Sequence, residues 1–454
     1  MNEAVQVEAP PAHPTFAEAA GVWAKIGLLS FGGPAGQIAL MHKELVEERR
    51  WISESRFLHA LNFCMLLPGP EAQQLATYIG WLLHGGRGGI VAGMLFVLPG
   101  FFVILGLSSA YALFQQTDWL TSLFFGLKAA VLAIVIEAVI RVGRRALKTR
   151  FAVITAALAF AALFFFDLPF PLVVLAAGLA GYTATRVQSV KKITAAVVKG
   201  ALSDQRSVID SDFPDIVSSW SRAVKVLGIW VALWIAPFIA IGAMIGFDNV
   251  YTAIGLFFSK MAVVTFGGAY AVLAYVAQQA VATYHWLKPG EMLDGLALAE
   301  TTPGPLVLVL SFVGFMAAFR TPLGLDQLWA GVLGATLATW VTFIPCFLWI
   351  FLGAPYVETL RNNRALTGAL AAISAAVTGV ILNLAVWFGL HVLFAEVDRY
   401  AIGPLSMPLP AWQTFQPAAF FLTILAALLI FRLKRGIVTT LAVCAAAGWV
   451  IRIF

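Results

Sequence analysis

The sequence predicts an all-α polytopic membrane protein of about thirteen transmembrane segments, made of two homologous halves with inverted topology. Its helices are expected to break at Phe-Gly-Gly and Pro-Gly-Pro motifs. Three observations predict this class. Hydrophobic residues make up 61% of the 454 residues and charged residues 11%, with a mean hydropathy of +0.88; a soluble domain carries about 25% charged residues. Apolar runs long enough to span a bilayer recur along the whole chain, and a helix satisfies its own backbone polar groups in lipid. The same motifs then occur in two copies.

Residues 1–15, MNEAVQVEAPPAHPT, hold no Lys, no Arg and no apolar core. They read as a disordered cytoplasmic tail rather than a signal peptide. Apolar runs bounded by charge place the spans of the first repeat, 16–185, near 16–40, 57–83, 89–114, 119–140, 151–167 and 168–185. Residues 186–249 combine a polar cytoplasmic loop with a linking span near 224–246. The second repeat, 250–454, has runs near 250–276, 291–319, 327–353, 366–394, 413–431 and 437–454. Whether the first run of each repeat crosses or re-enters stays open.

With the N-terminus cytoplasmic and the C-terminus outside, Arg141, Arg144, Arg145, Lys148, Arg150, Lys191, Lys192, Arg432, Lys434 and Arg435 all fall inside, as the positive-inside bias requires. The basic loop HKELVEERRWISESR falls outside, and its own acidic residues balance it.

A constant register lays Lys25 on Lys260, Ser30 on Thr265, and Phe31-Gly32-Gly33 on Phe266-Gly267-Gly268. It also lays Trp51 on Trp286, and Pro68-Gly69-Pro70 on Pro303-Gly304-Pro305. An insertion near FRTPLGLDQLW shifts the register, after which Pro99 meets Pro345 and AAVLAIVIEAVI meets AAVTGVILNLAV. An odd number of spans separates the copies, so the second threads the membrane upside down. Such inverted repeats recur in secondary transporters, with substrate bound between broken helices near the midplane.

Pro and Gly are the poorest helix-interior residues, and a broken helix is tolerable in a membrane only beside protein or a wet cavity. A helix restarting at Glu71 or Leu306 would aim N–H groups and a positive dipole end at that cavity, which suits an anion. Lys25 and Lys260, each costing about 2.5–3.5 kcal/mol near a span centre, would add positive charge. Gln73 and Gln74 at one break, and Thr301 and Thr302 at the other, add neutral donors. Glu71 and Glu300 would repel an anion unless protonated, paired or engaged in proton coupling. Plainer alternatives stand beside these: a packing kink for Pro-Gly-Pro, a helix crossing for Phe-Gly-Gly, and a snorkelling Lys25. Glu137 is expected to pair with Arg141 four residues on.

Phe-Gly-Gly-Pro at Phe31–Pro34, LLPGPEAQQLATYIGWLLHG from Leu66, the second Phe-Gly-Gly and LALAETTPGPLV from Leu296 closely resemble the chromate ion transporter family in its long, two-domain form. The resemblance covers about residues 16–454. It implies export of chromate from the bacterial cytoplasm across the inner membrane, giving chromate resistance and driven by membrane energy rather than ATP. Sulfate, of like charge and shape, is the alternative substrate. Pro34 follows the first Phe-Gly-Gly but Ala269 follows the second, so the halves are expected to play unequal roles.

No nucleophile triad, His-Glu-x-x-His or Walker sequence occurs, so neither an enzyme nor a cofactor is expected. Cys64, Cys346 and Cys444 lack metal-ligand spacing. Nucleic acid is not an expected partner; the lipid bilayer is, and a homo-oligomer stays open. A channel or a lipid-handling protein is the reading from another class.

Overall fold

The computed structural model describes residues 12–188, 219–266, 269–356, 364–403 and 405–453. The tail up to residue 11 and most of the polar loop, 189–218, lie outside them, as do Gly267 and Gly268 of the second Phe-Gly-Gly.

The first repeat opens with α1 (Phe16–Leu29). Thr15 accepts from the Glu18 amide while Glu18 accepts from that of Thr15, a capping box that fixes the helix start. Ala19, Val22, Trp23, Ile26 and Gly27 recur at helical spacing and form its buried face. The chain breaks at Ser30, where Gly32 (φ 86°) and Gly33 (φ 69°) adopt left-handed backbone that a side chain would oppose. Pro34 then opens α2 (Gly33–His42), which ends in a π turn over Lys43–Glu48.

Next come α3 (Glu54–Cys64) and α4 (Glu71–Phe114), separated by the first Pro-Gly-Pro. α4 is a helical hairpin folded at His84 and Gly85, whose torsions leave the helical region. A Cβ at Gly80 would stand 2.6 Å from the Gly88 carbonyl oxygen, and one at Gly89 3.0 Å from that of Thr77. Glycines therefore let the two arms touch backbone to backbone. The span expected at 57–83 is thus α3, a break and the first arm of α4. The repeat closes with α5 (Asp118–Ala146), α6 (Arg150–Phe166) and α7 (Phe170–Gln188).

The linking helix α8 (Trp220–Ile245) has no buried residue. Tryptophans hold it on its neighbours: Trp234 Nε1 donates to Ser259 Oγ at 3.0 Å, and Trp340 Nε1 donates to the Leu233 carbonyl at 2.9 Å.

The second repeat runs α9 (Val250–Val264), α10 (Ala269–Gln278), α11 (Pro289–Glu300), α12 (Val309–Arg320), α13 (Gln327–Gly353) and α14 (Arg364–Leu393). A β-hairpin follows, β1 (Val397–Ile402) antiparallel to β2 (Leu405–Pro410), and then α15 (Pro417–Ala427) and α16 (Ile437–Ile453). α12 and α13 correspond to the arms of α4, with Gly314 against Gly334. The inserted FRTPLGLDQLW supplies the turn between them.

α5 packs on α14, its counterpart in the other repeat. A Cβ at Gly143 would lie 3.5 Å from Thr378 Cγ2, and one at Gly389 3.8 Å from Leu132 Cδ1, so the two helices run antiparallel. Each repeat's last two helices also cross over: α6 and α7 pack on α14, while α15 and α16 pack on α5.

Among the described residues, five helices are long and apolar enough to cross a membrane: α4, α5, α8, α13 and most of α14. Shorter apolar helices, α6 and α9 among them, accompany these. Large apolar side chains such as Leu158, Leu179, Ile239 and Phe421 stand outward on α6, α7, α8 and α15, as a bilayer-facing surface requires.

Candidate functional site: two crossed helix breaks

Each Pro-Gly-Pro turns on a glycine with positive φ, 116° at Gly69 and 90° at Gly304. The Gly69 amide donates to the Thr265 carbonyl at 2.8 Å, and the Gly304 amide donates to the Ser30 carbonyl at 2.8 Å. Ser30 and Thr265 are equivalent residues, each capping the C-terminus of its repeat's first helix. Each hydroxyl also donates one turn back, Ser30 to Ile26 at 2.6 Å and Thr265 to Met261 at 2.5 Å. The break of one repeat is therefore closed by the break of the other. The second register holds here too. A Cβ at Gly69 would lie 2.8 Å from Cys346 Sγ, and Gly304 faces Gly100, the counterpart of Cys346.

Around these bonds the halves differ. Gln74 Nε2 donates to the Pro68 carbonyl at 2.7 Å, and Gln37 Nε2 to the Gly304 carbonyl at 2.5 Å. Gln73 Nε2 donates to Thr77 Oγ1 at 3.0 Å. All three glutamines are buried, and each keeps its Oε1 without a hydrogen-bond partner. Glu300 is buried as well; Tyr270 OH donates to its Oε1 at 2.7 Å while Oε2 has no partner. Unpaired buried polar atoms are costly, about 1–3 kcal/mol each, and these four all belong to residues beside the breaks or bonded to them.

The expected donors are distributed unequally. The Gly69 and Gly304 amides are taken by the opposite repeat, and Thr301 and Thr302 donate their hydroxyls to the Leu298 carbonyl at 2.8 and 2.7 Å. Among the described residues, the first-turn amides of Ala72 and Gln73 have no main-chain acceptor, and that of Glu71 faces its own carboxylate. Phe31 is exposed and Phe266 half-buried, while Pro303 and Pro305 are buried with Gly304.

Lys25 and Lys260 stand on exposed faces. Lys25 Nζ lies 2.5 Å from Glu44 Oε1, and Arg49 Nη1 lies 2.5 Å from Glu44 Oε2. The ammonium of Lys260 sits 5.9 Å from the ring centre of Tyr275. Glu137 pairs with Arg141 at 3.3 Å.

Three groups here escaped the sequence reading. Gln37 was findable as an isolated amide in an apolar run. Asp294 was findable as a carboxylate inside a span; it accepts from Tyr111 OH at 2.8 Å and faces Lys128 Nζ at 3.3 Å. Ser30 and Thr265 align in the duplication, but the acceptors are their main-chain carbonyls, which carry no sequence signal.

The profile of the family described as "Chromate transporter" matches residues 17–182 and 252–449. The chain belongs to the chromate transporter family. Both repeats of this transporter are matched, each with its Pro-Gly-Pro. Among relatives, the "Chromate transport protein" of Pseudomonas aeruginosa is 29% identical over 452 residues, covering 98% of this chain and 94% of that one. The "Probable chromate transport protein" of Synechococcus elongatus is 28% identical over 389 residues, covering 86% and 88%. The "Chromate transport protein" of Cupriavidus metallidurans is 28% identical over 367 residues, covering 80% of each. No solved structure matches the chain. Family membership and apolar helices together make this a polytopic membrane transporter.

Proposed function

We propose that this transporter exports chromate from the cytoplasm, driven by the membrane potential or a proton gradient, and so confers chromate resistance. The carrying observation is the reciprocal pair of hydrogen bonds, Gly69 to Thr265 and Gly304 to Ser30. It places both broken helices at one shared centre, where secondary transporters of inverted-repeat design bind substrate. The antiparallel packing of α5 on α14 supports inverted repeats with about thirteen crossings. The basic loops support a cytoplasmic N-terminus and an external C-terminus.

The first-turn amides of α4 and the second N–H of each of Gln37, Gln73 and Gln74 supply donors for a tetrahedral oxyanion, while their unpaired Oε1 acceptors suit bound water. Glu71 and Glu300 are the candidate coupling groups, since a carboxylate beside an anion site must change its charge or its partner as the anion passes. A dianion leaving a negative cytoplasm gains about 4.6 kcal/mol per 100 mV, from about 2.3 per charge, so export needs no coupled ion. The names of the three relatives support chromate as cargo.

The test is chromate uptake by everted membrane vesicles, energised and then uncoupled, with sulfate as competitor. Saturable uptake that the uncoupler abolishes is expected. Proton-dependent sulfate movement without chromate flux would reassign the cargo, and movement of neither ion by folded protein would overturn the reading.

A further inference from the structure

Two cavities occupy equivalent places in the two halves. In each, the turn between one repeat's last two helices meets the long helix of the other repeat. The first lies between α14 and the α6–α7 turn, and the β1–β2 hairpin lies across it. Arg399 Nη1 donates to Asp167 Oδ2 at 2.8 Å, and Gln278 Nε2 to Asp167 Oδ1 at 2.9 Å. Charge is balanced there, and only about 30 Å³ remains.

The second cavity lies between α5 and the α15–α16 turn and holds about 670 Å³. Arg141, Arg144, Arg145, Lys434 and Arg435 line it. Glu137 pairs with Arg141, but among the described residues the other four cations have no carboxylate partner. None of the three α5 arginines has an equivalent in the second repeat, where Trp387, Leu390 and His391 stand at their positions. Arg145 lies within Coulombic reach of Glu71, and Arg141 of Glu300. Neither carboxylate lines the cavity itself.

We propose that this basic cavity is an anion-collecting vestibule, a weak site where a doubly charged tetrahedral oxyanion docks before reaching the crossed breaks. The inference rests on the proposed transport function and names where its substrate first binds. Uncompensated charge in a low-dielectric recess raises the local concentration of counter-ions. Among the described residues, the hairpin fills the equivalent place in the other half, so the two ends are unequal and the device serves one side of the membrane.

The full-length protein in vesicles of pure phosphatidylcholine supplies the test. Equilibrium chromate binding and initial flux are compared for the natural protein, an Arg144→Gln/Arg435→Gln variant, and the same two positions changed to Lys. The Gln variant should raise the half-saturating chromate concentration about tenfold at low salt with maximal flux unchanged. The gap should close near ~0.5 M salt, where the Debye length falls below the cavity's dimensions. The Lys variant should behave as the natural protein. Unchanged half-saturation overturns the vestibule, as does a loss of maximal flux alone. A defect that appears only when phosphatidylglycerol is added also overturns it, in favour of a lipid headgroup site. Should the Gln variant not fold, the natural protein decides: half-saturation independent of ionic strength contradicts the proposal. If the natural protein moves no chromate, the transport reading fails and the binding isotherms alone judge the vestibule.

Discussion

The Gly69 amide donates to the Thr265 carbonyl at 2.8 Å, and the equivalent Gly304 amide returns the same bond to Ser30. Two helix breaks, each untenable alone in lipid, thereby satisfy one another. The Pro-Gly-Pro motifs act less as hinges than as the two halves of a single joint.

Gln74 guards that joint. Its Nε2 is the side-chain partner of the Pro68 carbonyl, and the side chain is buried. Gln74→Leu should destabilise the protein by about 1–3 kcal/mol through the orphaned carbonyl. A lowered thermal unfolding midpoint in detergent is the expected observation, and an unchanged midpoint would remove Gln74 from the joint.

Arg320 anchors the start of α11. It donates to both carboxylate oxygens of Glu291, at 2.9 and 2.6 Å, and to the Trp286 carbonyl at 2.6 Å. Glu291 is 6% exposed. Arg320→Ala strands a buried carboxylate and should cost about 3–5 kcal/mol, whereas Arg320→Met with Glu291→Met should recover most of the loss. A double-mutant cycle on unfolding midpoints reads the difference; equal losses in single and double variants would contradict it.

The antiparallel contact of α5 and α14 predicts a cross-link. Gly143→Cys with Thr378→Cys should oxidise to a disulfide, since a Cβ at Gly143 stands 3.5 Å from Thr378 Cγ2. Gly143→Cys with Gly389→Cys should not, because Gly389 meets Leu132 instead. Peptide mapping after mild oxidation distinguishes the pairs, and the reverse pattern would mean that the repeats are not packed in this sense.

Much of the fold was legible because breaks are local. Gly32, Gly33, Gly69 and Gly304 need only their own torsions to interrupt a helix, and the duplication repeats the signal. What those breaks bond to was not legible, because the acceptors are main-chain carbonyls in the opposite repeat. Lys25 shows the same limit. A charge inside an apolar run is visible in sequence, but its partner Glu44 lies beyond the first break, where α2 and its π turn bring it back. The fold of α4 at His84 and Gly85 was legible too, since the glycine-rich HGGRGG separates the apolar runs 57–83 and 89–114 there.

The most direct measurement of the central claim is chromate uptake by energised everted vesicles carrying Gly69→Ala, Gly304→Ala, or Gly69→Ala with Cys346→Gly. Left-handed torsions cost a side chain about 1–2 kcal/mol, and at Gly69 the new methyl would also meet Cys346 Sγ at 2.8 Å. Both single variants should insert yet lose most of their flux, and the double variant should regain part of it. Full flux in both single variants, with normal amounts of folded protein, would contradict the claim that the crossed breaks form the transport site.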